Sequence, residues 1–119
     1  MRILVVDDNQ DAADSLAAIL RLWHHEVAVA YDGESALSVT CEFEPQVVLL
    51  DIQMPYLNGG TVAAKLRQAH RNSAISILAV SAFARDDKRI SRYAQWFDGY
   101  LPKPWDMNLL ERMFSETPQ

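Results

Sequence analysis

A single cysteine, Cys41, stands among the 119 residues, so no disulfide can close within the chain and a cysteine-rich zinc site is excluded. No apolar run approaches the roughly 18 residues that a bilayer crossing requires. The opening MRILVVDD turns acidic before a signal-peptide pattern can develop. The expectation is a cytoplasmic chain with no membrane insertion. Basic excess is lacking as well: 11 Lys and Arg face 16 Asp and Glu, for a formal net charge of -5. That balance argues against direct binding to nucleic acid, whose affinity comes from phosphate neutralisation. Low-complexity segments, long linkers and internal repeats are also missing. What remains is ordinary globular composition, 50% hydrophobic and 23% charged, in a length that suits one domain over residues 1–119 and is short for two. Cys41 is then expected as a small buried hydrophobe on a helix.

Short apolar runs alternate with stretches of helical period. The runs are ILVV (3–6), EVAVA (26–30), VVLL (47–50), ISILAV (75–80) and DGYL (98–101). Most are continuously apolar, as strands covered on both faces of a parallel sheet must be. In the first intervening helix Leu16, Ile19, Leu20 and Trp23 form one stripe, with Asn9 as cap and Asp11 and Asp14 at the positive end of its dipole. The second is predicted over 33–43 with Ala36, Leu37, Thr40 and Cys41 inward, and Pro45 leads into the next strand. The third follows the turn signal Asn58-Gly59-Gly60 and turns Val62, Ala63, Leu66 and Ala69 inward. The fourth, from about Ala84 to Trp96, carries Arg85, Lys88, Arg89 and Arg92; the fifth, from about Asp106, buries Leu109, Leu110, Met113 and Phe114. This alternation predicts an α/β doubly wound sandwich with right-handed crossovers.

Such a sheet presents its chemistry at the carboxyl ends of the strands. Asp7 and Asp8 follow the first apolar run, Asp51 the third, Ser81 the fourth and Lys103 the fifth. Each alone suits a cap, a turn or a solvated surface. Together they meet at one rim, where three carboxylates repel one another and need a counter-charge. A hard divalent cation such as Mg²⁺ offers one, and Lys103 a second. Such a site suits phosphoryl transfer, with Asp51 as nucleophile, the cation and ammonium on two phosphoryl oxygens and the Ser81 hydroxyl on the third.

The set ILVVDD, VVLLDIQMP, ILAVSA and DGYLPKP resembles the receiver domain of bacterial two-component response regulators, over essentially the whole chain. The resemblance implies a flavodoxin-like (βα)5 fold with a five-stranded parallel sheet of order 2-1-3-4-5, an order the fold class itself carries. It implies that Asp51 accepts a phosphoryl group from a sensor histidine kinase or histidine phosphotransfer protein. Asp8, Asp51 and the backbone carbonyl of Gln53 would bind Mg²⁺ or Mn²⁺, with Asp7 acting largely through water. Lys103 would pair with the phosphoryl group, Ser81 would bond it in the active state, and Tyr100 would be the aromatic switch. The Lys103-Pro104 peptide matches one usually cis in the family. Gln53 and Phe83 sit where the family tunes the lifetime of the phosphoryl group, and Phe83 is expected to hinder attacking water. Enzymatic turnover beyond self-phosphorylation and dephosphorylation is not implied.

The chain departs from the family pattern in places. Ser81 replaces the more frequent threonine, Asn58 a common aspartate, and Gln95-Trp96 an alanine-glycine pair. The readout surface is expected on the fourth helix, fifth strand and fifth helix, which could pair two copies, contact a downstream target or serve an attached effector; Trp105 adjoins it. With no linker or effector module after Gln119, the chain suits either a stand-alone shuttle or a receiver from a hybrid kinase or larger regulator. Two rival classes fit worse. An aspartate-nucleophile phosphatase needs a second aspartate where Gln53 stands, and a flavin module needs a hydroxyl- and glycine-rich loop where DDNQD stands. A metal site on His24 and His25 is disfavoured because adjacent helical side chains diverge by about 100°.

Overall fold

The computed structural model describes residues 1–52, 59–70, 74–82, 87–91, 94–104 and 106–114. Gln53, Asn58, Phe83, Arg85, Arg92 and Trp105, on which expectations fell, lie outside the described residues. The elements in order are β1 (Arg2–Val6), α1 (Gln10–Leu22), β2 (Glu26–Ala30), α2 (Gly33–Phe43), β3 (Val47–Asp51), α3 (Gly59–Ala69), β4 (Ser76–Ser81), α4 (Lys88–Ser91), a 3-10 turn (Ala94–Trp96), β5 (Gly99–Pro102) and α5 (Met107–Phe114). All pairings are parallel and the strand order is 2-1-3-4-5, as the family resemblance implied.

The period of two in the central strands divides the core. Leu4, Val6, Val48 and Leu50 point to one face and pack with Ala36 of α2 and Val62, Ala63 and Leu66 of α3. Ile3, Val5 and Leu49 point to the other, against Ala13, Leu16 and Leu20 of α1 and Leu110 and Phe114 of α5. Both faces being covered explains why β1 and β3 read as unbroken apolar runs. At one edge, β2 keeps Val27, Ala28 and Val29 only half-buried, which is why EVAVA looked mixed.

Local chemistry sets the boundaries. Asn9 caps α1 by accepting from the Ala12 N–H at 3.1 Å, and Asp32 caps α2 by accepting from Ser35 N–H at 2.7 Å. Asp106 does the same for α5, accepting from Asn108 N–H at 2.9 Å. Past the ends of α1 and α2, His24 and Glu44 take left-handed backbone, with φ 70 and 53. Arg67 of α3 braces the far side of the sheet by donating to the Ile75 carbonyl at 2.6 Å and pairing with Asp98, whose carboxylate also accepts from Ile77 N–H at 2.8 Å.

Several packing expectations need correction. Cys41 is exposed, Ala69 is exposed and Met113 is 37% exposed, because each lies at the margin of its helix's apolar arc. Leu37, Ile19, Trp23 and Leu109 are half-buried, while Ala17 joins the stripe of α1. The fourth helix does not run regularly to Trp96: its last stretch is a 3-10 turn, with half-buried Trp96 packed on the α2–α3 side of the core. His25 is buried, its ring bonded to the Met1 ammonium through Nδ1 at 3.1 Å and to the Phe114 carbonyl through Nε2.

Candidate functional site

Register carries the polar residues to one rim. Val6 of β1 pairs with Leu50 of β3, so the next residues, Asp7 and Asp51, emerge side by side. Asp51 pairs with Val80 and Ser81 with Pro102, which places Ser81 and Lys103 on the same end of the sheet. Oxygens of Asp7, Asp8 and Asp51 lie within 4.8 Å of one another. Asp7 and Asp51 are buried, at 3% and 5% exposure, whereas Asp8 is exposed.

Lys103 closes the cluster. Its Nζ donates to Asp7 Oδ2 at 2.8 Å and to Asp51 Oδ2 at 3.2 Å. Burial pulls the ammonium pKa down, but the hydrogen bond to Asp7, the charges of Asp51 and Asp7 and the bond to Asp51 outweigh it and lift the value above the ordinary 10.5. Lysine is therefore held charged against two buried carboxylates. The remaining negative charge, with Asp8 open to solvent, matches the few oxygen ligands and retained water that Mg²⁺ prefers, so the residues fit that ion.

The supporting shell is backbone. Asp7 Oδ1 accepts from the Asn9 N–H at 3.0 Å, fixing the carboxylate as α1 begins. Gly59 N–H donates to the Ile52 carbonyl at 2.9 Å, and a Cβ on Gly59 would stand 2.7 Å from Ile52 Cα and overlap the Asp51 carbonyl. The start of α3 can thus lie against the end of β3 only with glycine there, a contact that the turn signal at Asn58-Gly59-Gly60 did not reveal. On the other side, the Ser81 carbonyl accepts from Lys103 N–H at 2.9 Å and from the Tyr100 hydroxyl at 3.4 Å. Ser81 itself is 1% exposed, Tyr100 is half-buried beside Phe97, Ile52 and Ala79, and the Lys103–Pro104 peptide is cis. The structure thus brings together Asp7, Asp8, Asp51, Ser81 and Lys103, with Tyr100 bonded to their margin; Gln53 and Phe83 fall outside the described residues.

Comparison with known proteins agrees with this geometry. A model of the response regulator receiver domain matches residues 3–115. The transcriptional regulatory protein PrrA of Mycobacterium tuberculosis is 40% identical over 104 residues, covering 87% of this chain and 44% of PrrA. The response regulator MprA of Mycobacterium avium is 36% identical over 114 residues, covering 95% of this chain and 49% of MprA. The chain thus spans about half the length of these relatives. Among solved structures, the Vibrio cholerae chemotaxis protein CheY4 superposes with a TM-score of 0.85 at 24% identity, over 94% of this chain and 93% of that one. The response regulator TrrA of Thermotoga maritima, solved in complex with Mg²⁺ and BeF, gives 0.80 at 29% identity, over 94% of each. The matched span, the sheet order and the acidic rim agree, and the chain belongs to the receiver domain family of two-component response regulators, a family of signalling domains.

Proposed function

We propose that this receiver accepts a phosphoryl group on Asp51 from the phosphohistidine of a sensor histidine kinase or histidine phosphotransfer protein, in a Mg²⁺-dependent reaction, and changes shape in response. The observation that carries this reading is the convergence of three carboxylates with one ammonium, which bonds two of them. Asp51 ends a buried strand, so its carboxylate is held rigid and largely stripped of water. One carboxylate oxygen attacks the phosphorus; the new P–O bond forms as the P–N bond to the donor imidazole breaks, and the electron pair stays on that nitrogen.

Asp7, Asp8 and Asp51 would hold Mg²⁺ or Mn²⁺, which when bound offsets negative charge on the phosphoryl oxygens. Lys103 shares its ammonium between two carboxylates and can transfer one of those hydrogen bonds to a phosphoryl oxygen without leaving the site. The Ser81 hydroxyl, at the end of β4, serves another oxygen. Drawing Ser81 inward shifts the carbonyl on which the Tyr100 hydroxyl rests, and this favours a second arrangement of β5 and its neighbours. The Mg²⁺–BeF complex of TrrA supports the metal part of this reading by likeness.

The partners follow from the same reading: a histidine-phosphorylated donor, and an effector or downstream protein reached through α4, β5 and α5, where a second copy could also pair. PrrA, a relative of about twice this length that is named a transcriptional regulatory protein, supports an attached effector. No described helix is long and apolar enough to cross a membrane, and the donor chemistry suits the cytoplasm. The test is intact mass after incubation with acetyl phosphate, with and without Mg²⁺, then with a phosphorylated kinase. One added phosphoryl group, dependent on Mg²⁺ and absent in Asp51→Asn, is expected. A gain that persists in Asp51→Asn refutes the acceptor, and no gain from either donor refutes the reading.

A further inference from the structure

β2 forms one edge of the sheet and pairs on one side only, with β1. The Glu26 N–H donates to the Met1 carbonyl at 3.0 Å, and the Ala30 carbonyl accepts from the Asp7 N–H at 3.1 Å, so both residues turn their backbone groups toward β1. Strand alternation gives Ala28 the same direction and turns the N–H and C=O groups of Val27 and Val29 to the open side. An apolar edge strand is a template for a further strand, and proteins blunt such edges with charge or proline. From Val27 to Ala30 this strand carries neither. One outward group is instead occupied from within the chain: Arg21, in the last turn of α1, donates from Nη2 to the Val27 carbonyl at 2.7 Å.

We propose that the β2 edge is a pairing surface for a second copy of this chain, held shut by the Arg21 guanidinium. The edge is self-complementary. A two-fold axis through Ala28 sets Val27 of one copy opposite Val29 of the other, twice over, and each such pair exchanges two N–H···O=C bonds. The small Ala28 side chain sits at the axis, and the half-buried Val27 and Val29 share one face of the sheet, where the two copies' valines cover one another across the new pair. Arg21 opposes this in two ways. It occupies the Val27 carbonyl, so two of the four acceptors are taken, and pairing would bring two guanidinium charges to one short strand pair and strip them of water. β2 and β5 are opposite edges of the sheet, so this pairing is separate from the α4, β5 and α5 face and independent of phosphorylation on Asp51.

Sedimentation velocity on the unphosphorylated chain in EDTA tests this with Arg21→Met, which keeps an apolar stem and a good helix former while removing the donor. The variant should dimerise with a dissociation constant at least about tenfold below that of the wild type, although its net charge, more negative than the wild type's -5, works against association. Amide hydrogen exchange read by NMR should show the Val27 and Val29 N–H groups slowing as that dimer forms. Adding Val29→Pro removes an outward donor without touching the ladder to β1 and should return the double variant to monomer. Where circular dichroism shows that the double variant does not fold, the amide pattern of Arg21→Met decides. An Arg21→Met that associates no more than the wild type at millimolar concentration overturns the proposal. So does a dimer that leaves the Val27 and Val29 amides unprotected or that survives Val29→Pro.

Discussion

Removing one charge from the acidic rim should stabilise the metal-free protein while weakening its response to metal. Asp8 is the informative position: it is exposed, and the Lys103 ammonium bonds Asp7 and Asp51 instead. Its carboxylate oxygen lies within 4.8 Å of the other two. At that separation and an effective dielectric of 20, each like-charge pair costs about 3.5 kcal/mol before screening. Solvent around Asp8 reduces the two pairs to a combined penalty of roughly 1–2 kcal/mol. Asp8→Asn relieves it, so in EDTA the variant should melt roughly 3–8 °C above the wild type. Mg²⁺ reverses the comparison: binding at ten times its dissociation constant adds about 1.4 kcal/mol to the wild type, and the variant, short of one ligand charge, gains little. Urea melts of both proteins in EDTA and in a Mg²⁺ series measure the four stabilities. If Asp8→Asn is no more stable than the wild type in EDTA, the three carboxylates do not repel as the geometry requires, and the case for a built cation site fails.

Lys103→Met leaves two buried carboxylates facing each other and should cost about 2–3 kcal/mol in urea melts without Mg²⁺. Because the folded pKa of Lys103 lies above its unfolded 10.5, the stability it contributes is fully present below that pH and is lost as pH rises through the folded value. As pH rises above about 10.5 the wild-type midpoint should therefore fall more steeply than that of Lys103→Met, and parallel curves would refute the pairing. Gly59→Ala puts a Cβ into the backbone of Asp51 and Ile52 and should cost about 2 kcal/mol while slowing Mg²⁺-dependent phosphorylation by acetyl phosphate, followed by intact mass. His24→Gly should raise the urea midpoint by the equivalent of about 1 kcal/mol, because an exposed L-residue is held there at φ 70; an unchanged midpoint would show that the left-handed turn carries no strain.

The sheet and its rim were legible because both rest on strong local signals. Buried parallel strands leave unbroken apolar runs, and Asp7, Asp8, Asp51, Ser81 and Lys103 each follow such a run, so topology alone gathers them. Helix margins were less legible. Cys41 and Met113 lie at the limits of an apolar arc, where a rotation of some tens of degrees decides between core and solvent and the sequence period does not fix it. The role of Gly59 depends on how closely α3 approaches β3, a distance no local pattern encodes. The partners of His25 come from both ends of the chain, Met1 and Phe114, so its burial could not be read from the residues around it.

One backbone atom joins the chemistry of the rim to the face that would report it. The Ser81 carbonyl accepts from the Lys103 N–H and from the Tyr100 hydroxyl, while the Ser81 side chain stands at the rim itself. The two bonds differ in strength. The one to Lys103, at 2.9 Å, is a ladder bond that keeps β5 in register; the one to Tyr100, at 3.4 Å, is long and held by a side chain with only two rotatable bonds. Under the proposed function, a shift of Ser81 toward a phosphoryl oxygen would break the weak bond before the strong one. On that reading the bond from Tyr100 would yield first, while the Lys103 N–H keeps β5 in register. On the proposed reading, the difference in bond length would let the site move its switch without dismantling the cluster of charges at the rim.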